Sequence, residues 1–245
     1  MRKAPPCCIS AALALLGRGL FLYYITDRRQ LSSDEEERTR LLLDRISAAA
    51  SEGVDAIQLR EKDLSARGLV ELGTRAIEIM RAAKPLNASC QPTRLLINSR
   101  VDVAIACGAD GVHLRANDVS AADARAIFAQ VGICAPVISV SCHTAQEVSL
   151  GEGHGADFAV YGPVFGKEGD EAAAAGLAGL EAVCRKRRTA QAAMPVLALG
   201  GVTVSNAADC LKAGAGGIAG IRLFQNGNLA ETVSRLRKLA DELHC

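Results

Sequence analysis

The feature that most constrains this chain is a regular alternation of short apolar segments, rich in β-branched residues, with longer segments of helical period. Each repeat of this pattern predicts one buried strand followed by one helix, as in a parallel sheet covered by helices. The predicted strands cover residues 21–26, 56–59, 94–97, 111–114, 137–140, 158–161, 196–199 and 217–219. The predicted helices cover residues 36–52, 65–84, 99–107, 121–131, 144–153, 177–188, 204–213 and 229–243.

Periodicity alone fits an open, doubly wound sheet as well as a closed barrel. Three observations favour the barrel: the number of units, the absence of a GxGxxG motif after the first strand, and polar residues just after strand ends along the whole chain. We therefore predict a single (β/α)₈ barrel over residues 20–245. The start of the chain superficially resembles a secretory signal, but Arg18 interrupts its apolar run. We therefore expect residues 1–19 to form a poorly ordered extension.

Charge and cysteine content restrict the partners. The chain carries 28 basic and 27 acidic residues and a formal net charge of +1, which gives no reason to expect nucleic acid or an anionic membrane surface. Its nine cysteines include no pair with metal-ligand spacing. We expect reduced thiols and a cytoplasmic location. A homo-oligomer is compatible with the sequence, which does not decide the oligomeric state.

Polar side chains are concentrated after the second predicted strand. Alternation along the strand directs Gln58 and Arg60 toward the barrel axis, and Lys62 lies on the same side beyond the strand end. A guanidinium and an ammonium group suit a phosphate. The alternative is an ordinary solvated charged loop.

The third and fourth strands end in further candidates. Asn98 is placed where its amide would face the mouth, or where it would cap a helix. Asp118 offers oxygen atoms to Mg²⁺, although a helix cap is an equal alternative for it. His113 lies on the strand itself and is expected to be a packed, hydrogen-bonded histidine.

The fifth strand ends in Ser141, Cys142 and His143. Neighbouring residues on an extended segment point in opposite directions, so Cys142 and His143 need not form a nucleophile pair. His143 is the better candidate for proton transfer, because an imidazole titrates near neutral pH.

Glycines accumulate at the ends of the last two strands. Gly200 and Gly201 follow the seventh strand, and Gly220, Ile221 and Arg222 follow the eighth. Glycine-rich turns at these two positions let backbone amides approach an anion, as in barrels that bind phosphate there. Together they predict a phosphate site.

Several segments together resemble one known superfamily, that of thiamine phosphate synthase and thiazole tautomerase. The segments are LYYITDR, AIQLREKD, LLINSRVDVAIACGADGVHL, SVSCHTAQE, ADFAVYGPVF and PVLALGGVT. The resemblance extends from about residue 21 to 243, in order and at similar spacing. It implies a transferase that joins hydroxymethylpyrimidine diphosphate to thiazole phosphate, with release of pyrophosphate.

The resemblance also implies roles for individual residues. The leaving-group site would comprise Gln58, Arg60, Lys62, Asn98 and Ser141. Asp118 would bind Mg²⁺, and the thiazole phosphate would lie near Gly201 and the 219–222 turn.

The chain departs from the superfamily pattern at several of these positions. Ser99 replaces an aspartate that is the usual second magnesium ligand, and a serine hydroxyl carries no charge. In the loop after the sixth strand the usual threonines are missing, and Lys167 stands in a shifted position. Cys142 replaces a common threonine and Arg222 a common serine.

Two alternatives to the synthase follow from these departures. A thiazole tautomerase keeps the barrel and the phosphate site but needs only proton transfer, for which His143 is the candidate. A non-catalytic protein that binds thiazole or thiamine phosphate is the other, although the retained Gln58 to Lys62 run speaks against it.

Overall fold

The computed structural model describes residues 19–83, 91–166, 175–185 and 193–244. Within them, eight parallel strands close into a barrel in the order in which they occur in the sequence. The strands are β1 (Phe21–Ile25), β2 (Ala56–Leu59), β3 (Arg94–Asn98), β4 (Gly111–Leu114), β5 (Val137–Cys142), β6 (Phe158–Tyr161), β7 (Val196–Ala198) and β8 (Gly217–Gly220). The predicted fold class is confirmed.

A helix follows each strand. The helices are α1 (Glu35–Ser51), α2 (Ala66–Ala82), α3 (Val101–Cys107), α4 (Ala121–Gln130), α5 (Ala145–Gly153), α6 (Gly176–Arg185), α7 (Ala207–Lys212), the short α8 (Arg222–Gln225) and α9 (Leu229–His244). The sequence pattern did not predict α8 or the 3₁₀ turn Arg28–Gln30, because segments this short contain too few residues to show a period.

Side chains alternate along each strand between the barrel interior and the layer beneath the helices. Aromatic rings fill the interior: the Phe158 ring lies 5.1 Å from both the Phe21 and the Tyr23 rings, measured between centroids. Gly111 leaves room for a close neighbour, because a Cβ there would lie 1.7 Å from the Val137 carbonyl oxygen. The barrel interior is therefore a packed core.

Capping residues fix where several helices begin, at the end of the barrel where the strands finish. In four of the helices that directly follow a strand, the capping side chain accepts a hydrogen bond from a backbone N–H of the first turn. These caps are Asp34, Ser65, Ser120 and Thr144. Each cap ends a strand-to-helix loop, and three of these loops carry the candidate residues Arg60, Lys62, Asp118 and His143.

Two expectations fall partly or wholly outside the described residues. They concern nearly all of the extension 1–19 and most of the loop after β6, including Lys167. None of the helices in the described ranges is long and apolar enough to cross a membrane.

Candidate active site at the barrel mouth

Gln58 and Asn98 meet at the carboxyl ends of β2 and β3. The Gln58 amide nitrogen donates to the Asn98 Oδ1 over 2.8 Å, and the Asn98 amide donates to the Ser99 hydroxyl over 3.1 Å. Gln58 is 1% exposed, and its buried Oε1 has no hydrogen-bond partner in the described structure. Arg100 occupies the N-cap of α3, so the alternative of Asn98 as a helix cap is wrong.

The loop that carries Arg60 and Lys62 is anchored on β1. The Thr26 hydroxyl accepts a hydrogen bond from the Arg60 backbone N–H over 3.0 Å and donates to the Glu61 carboxylate. Arg60 itself is half-buried and Lys62 is exposed. The anchor fixes the backbone between the two cations and leaves their side chains available to a ligand.

Beneath this loop lies a buried ion cluster. Glu61 is 3% exposed and Arg28 is 2% exposed. The Arg28 backbone N–H donates to Glu61 Oε2 over 2.9 Å, the guanidinium Nε lies 3.9 Å from the same oxygen, and Nη2 donates to Asp63 over 2.9 Å. Burial raises the pKa of Glu61 above its ordinary value, although the hydrogen bonds from Thr26 and Arg28 oppose the shift.

A second anchor joins β1 to the short helix α8. The Gln225 side chain accepts from the Asp27 backbone N–H over 3.1 Å and donates to the Asp27 carbonyl over 2.8 Å. The Tyr24 hydroxyl donates to the same Gln225 oxygen over 3.2 Å. The end of β1 is thereby bonded to the loops of both β2 and β8.

His113 and Ser141 lie together in the upper part of the barrel. His113 Nε2 lies 2.7 Å from Ser141 Oγ, and Nδ1 lies 2.8 Å from Ser139 Oγ. His113 is 2% exposed and Ser141 is half-buried. The prediction that His113 is packed and hydrogen-bonded is confirmed, and its partner Ser141 is a candidate site residue.

The Asp118 carboxylate is occupied by neighbours. The Arg115 backbone N–H donates to Oδ2 over 2.8 Å and its Nη2 donates to Oδ1 over 3.0 Å, while the Ser99 hydroxyl also bonds the carboxylate. Burial opposes ionisation, but these hydrogen bonds outweigh it, and the pKa of Asp118 lies below its ordinary value. Ser120 caps α4, so the alternative of Asp118 as the cap is wrong.

These residues do not by themselves make a magnesium site. Mg²⁺ in proteins is held by one or two carboxylates together with substrate phosphates. Asp118 supplies a single carboxylate, both of whose oxygens face Arg115, and Ser99 adds no charge. Over the described ranges, no three histidine, cysteine, aspartate or glutamate side chains cluster as metal ligands. Magnesium binding therefore stays a prediction, and no chemical step is assigned to it.

Cys142 and His143 diverge at the end of β5. Cys142 is 2% exposed and packs in the core beneath the helices. His143 is exposed, and its ring Nδ1 bonds the Gly162 carbonyl oxygen. The side chains point apart, as predicted, and His143 keeps Nε2 as the nitrogen not used in this bond.

The ends of β7 and β8 combine glycines with the short helix α8. Gly200 and Gly201 have φ values of +96° and +63°. A Cβ on Gly200 would lie 2.6 Å from the Pro163 Cα, and one on Gly201 would lie 2.6 Å from the Phe165 Cβ. Glycine is required here by backbone conformation and packing, a requirement separate from the predicted phosphate contact. Helix α8 begins at Arg222, directly after the Gly220–Ile221 turn.

Sequence reasoning missed the supporting residues of the site. It did not assign functions to Thr26, Arg28 or Glu61, or to the contact of Ser139 with His113. The alternation that placed Gln58 inward also places Ser139 and Ser141 inward, and this signal was available. The bonds of Arg28 depend on a 3₁₀ turn that the sequence pattern does not reveal.

A closed barrel with its polar side chains gathered at the carboxyl ends of the strands defines a (β/α)₈-barrel enzyme. The sequence matches the family described as thiamine monophosphate synthase over residues 22–224. The chain belongs to this family.

Individual relatives agree with the family match. The thiamine-phosphate synthase of Roseiflexus castenholzii is 37% identical over 205 residues, which cover 83% of this chain and 79% of the relative. That of Moorella thermoacetica is 34% identical and covers 82% of this chain and 89% of the relative. The solved thiamine phosphate pyrophosphorylase from Pyrococcus furiosus superposes with a TM-score of 0.70 at 29% identity, covering 92% of this chain and 98% of that one.

Proposed function

We propose that this protein is a thiamine-phosphate synthase, which joins hydroxymethylpyrimidine diphosphate to thiazole phosphate and releases pyrophosphate. The observation that carries the proposal is the group of Gln58, Asn98, Arg60 and Ser141 at one mouth in a chain that belongs to the family. The relatives described above are named synthases, which favours this activity over thiazole tautomerisation or non-catalytic binding.

The reaction breaks the bond between the pyrimidine methylene carbon and the diphosphate oxygen. The electron pair leaves with pyrophosphate, and the thiazole nitrogen then donates its own pair to the carbon. Charge accumulates on the leaving group, so fixed positive groups and hydrogen-bond donors beside it lower the barrier. We assign this task to Arg60, Lys62 and the Ser141 hydroxyl.

Gln58 suits a different part of the substrate. Its amide nitrogen is used by Asn98, and its buried Oε1 is an acceptor with no partner in the described structure. Such an acceptor is costly, and an N–H donor would satisfy it whereas a diphosphate oxygen would not. The resemblance implies that Gln58 and Asn98 contact the leaving group; we propose instead that they hold the amino-substituted pyrimidine, next to the diphosphate.

The thiazole phosphate is assigned to the ends of β7 and β8. The proposed contacts are backbone groups of Gly200, Gly201, Gly220 and Ile221, with Arg222 adding charge. The short helix after β8 supports this assignment, because barrels commonly bind phosphate at such a helix. Lys167 is retained as a candidate contact to either phosphate group.

Two finer expectations are proposals as well. A cytoplasmic location is supported by the free thiols of Cys107, Cys134 and Cys210, since reduced thiols are usual in that compartment. We propose that the domain extends over residues 20–245 and that residues 1–19 lie outside it.

The test is turnover of the purified protein with both substrates and Mg²⁺, measured as thiamine phosphate and pyrophosphate formed. Arg60→Ala should lower kcat/KM by about a hundredfold or more, because a charged hydrogen-bond partner of the leaving group is lost. Arg81→Ala is the matched control: it removes an exposed arginine at the opposite end of the barrel and should leave turnover unchanged.

Activity on a thiazole carboxylate phosphate isomer, without thiamine phosphate formation, would refute the synthase and support the tautomerase. In that case, His143→Ala should abolish the isomerisation while Arg60→Ala leaves it nearly intact.

A further inference from the structure

Four polar side chains form a continuous hydrogen-bonded chain through the barrel interior. The Tyr23 and Ser139 hydroxyls are hydrogen-bonded to each other. Ser139 Oγ lies 2.8 Å from His113 Nδ1, and Ser141 Oγ lies 2.7 Å from His113 Nε2. Tyr23 and Ser139 are fully buried and His113 is 2% exposed, so water cannot replace a missing bond within this part of the chain. Only Ser141, at its upper end, is half-buried.

The His113 ring is neutral in this environment. Burial lowers the pKa of His113 to about 3, the Asp118 charge opposes the shift, and the Arg60 charge adds to it. A neutral imidazole carries a single N–H, so one ring nitrogen donates and the other accepts. The hydrogen bonds at the two nitrogens must therefore run in the same direction along the chain.

The balance of buried hydrogen-bond donors and acceptors decides this direction. The Tyr23 hydroxyl also lies 3.4 Å from His113 Nδ1. If Nδ1 carries the hydrogen, it can accept from neither hydroxyl, and the Tyr23 and Ser139 hydroxyls can donate only to one another. One of two fully buried O–H groups is then left without an acceptor, which is costly.

In the opposite direction every buried donor has an acceptor. Tyr23 donates to Ser139, Ser139 donates to His113 Nδ1, and His113 Nε2–H donates to Ser141 Oγ. The remaining hydrogen is that of the Ser141 hydroxyl, which lies at the partly exposed end of the chain.

We infer that His113 is a positioning residue that holds the Ser141 hydroxyl as a hydrogen-bond donor toward an anionic group at the barrel mouth. The inference deepens the proposed function, on which it rests for the identity of the anion as the departing pyrophosphate. The direction of the chain rests on the buried contacts alone. A serine that spent its hydrogen on His113 would present only lone pairs to the anion.

The direction is tested by nitrogen-15 NMR of the histidine-labelled full-length protein near pH 7. The chain contains four histidines, and the signal lost in His113→Gln identifies the residue. We expect the hydrogen on Nε2, with a non-protonated Nδ1. A hydrogen on Nδ1, or a doubly protonated ring, would overturn the inference whether or not the protein is a synthase.

The effect on anion binding is tested by calorimetry with inorganic pyrophosphate. Ser141→Ala and His113→Met should each weaken binding by about 10- to 100-fold, because the same charge-assisted donor is lost or misdirected. His113→Gln, which keeps an N–H donor, should recover most of the loss. In the Ser141→Ala background, His113→Met should weaken binding less than twofold further, and losses that multiply would contradict the inference.

If His113 had only a structural role, His113→Met would lower thermal stability, and its effect on pyrophosphate affinity would be the same with and without Ser141→Ala. If the unmodified protein does not bind pyrophosphate, the proposed function fails, and the NMR result still decides the direction of the chain.

Discussion

Replacement of Arg28 by methionine should destabilise the protein strongly and in a pH-dependent way. Arg28 is 2% exposed, and its Nε lies 3.9 Å from the equally buried Glu61 Oε2. At an effective dielectric constant of about 20, two unit charges at this distance attract by roughly 4 kcal/mol. Removing one partner of a buried pair typically costs about 3–5 kcal/mol, because the other charge stays buried. We therefore expect a loss of about 4 kcal/mol at pH 7.

The pH dependence follows from the direction of the Glu61 shift. The pKa of Glu61 is already raised in the folded protein, so the folded state binds the proton more tightly than the unfolded state does. Stability then falls as the pH rises from the ordinary glutamate pKa through the raised one. Loss of Arg28 raises the pKa of Glu61 in the folded state further and widens the pH range over which stability falls. The cost of Arg28→Met should therefore be larger at pH 8 than at pH 5.

Urea denaturation followed by circular dichroism at both pH values measures this cost. Arg28→Met combined with Glu61→Gln should recover about half of the loss, since the unpaired charge is gone. Arg40→Met is the control: that arginine is 62% exposed and pairs with Asp44 on the helix surface, a contact worth about 0.5 kcal/mol or less. A loss below about 1 kcal/mol at pH 7, or an equal loss at both pH values, would refute the reasoning.

Two further predictions concern the barrel wall and the cation site. Gly111→Ala should prevent folding or lower the free energy of unfolding by more than about 4 kcal/mol, because its Cβ would lie 1.7 Å from the Val137 carbonyl oxygen. Gly153→Ala is the control: no atom lies within 4 Å of the added Cβ, so the midpoint of thermal unfolding should change little. Equal thermal stability of both variants would contradict the structure. Ser99→Asp should strengthen Mg²⁺ binding on the order of tenfold, because it adds a second carboxylate beside Asp118; calorimetry measures the affinity. Unchanged affinity would show that Arg115 and not the missing charge limits the site.

Most of the barrel could be predicted from the sequence because one physical rule repeats eight times. A parallel strand buried on both faces is mostly apolar, so strands such as 56–59, 111–114 and 158–161 were predicted with their observed ends, even though the first two include Gln58 and His113. Helix α8 was missed since it is a single turn whose position is set by the Gln225 contacts with Asp27 and Tyr24. These contacts link residues about two hundred positions apart.

The candidate site could be predicted where strand alternation decides a side chain's direction. Gln58 was placed at the mouth in this way, whereas Asn98 was placed by its position at a strand end and Ser141 by the resemblance to the superfamily. Alternation could not decide whether Asn98 and Asp118 cap helices, because that depends on which residue begins each helix. Nor could it reveal that Arg115 occupies both Asp118 oxygens, which depends on the conformation of a loop.

The end of β1 has a consequence for how the two substrates communicate. The three residues that follow it, Thr26, Asp27 and Arg28, bond the β2 loop on one side and, through Gln225, the short helix α8 after β8 on the other. A ligand that shifts either loop must also shift this short bridge. The two substrates are therefore expected to be thermodynamically linked: whichever binds first changes the affinity for the second, and by the same factor in either order.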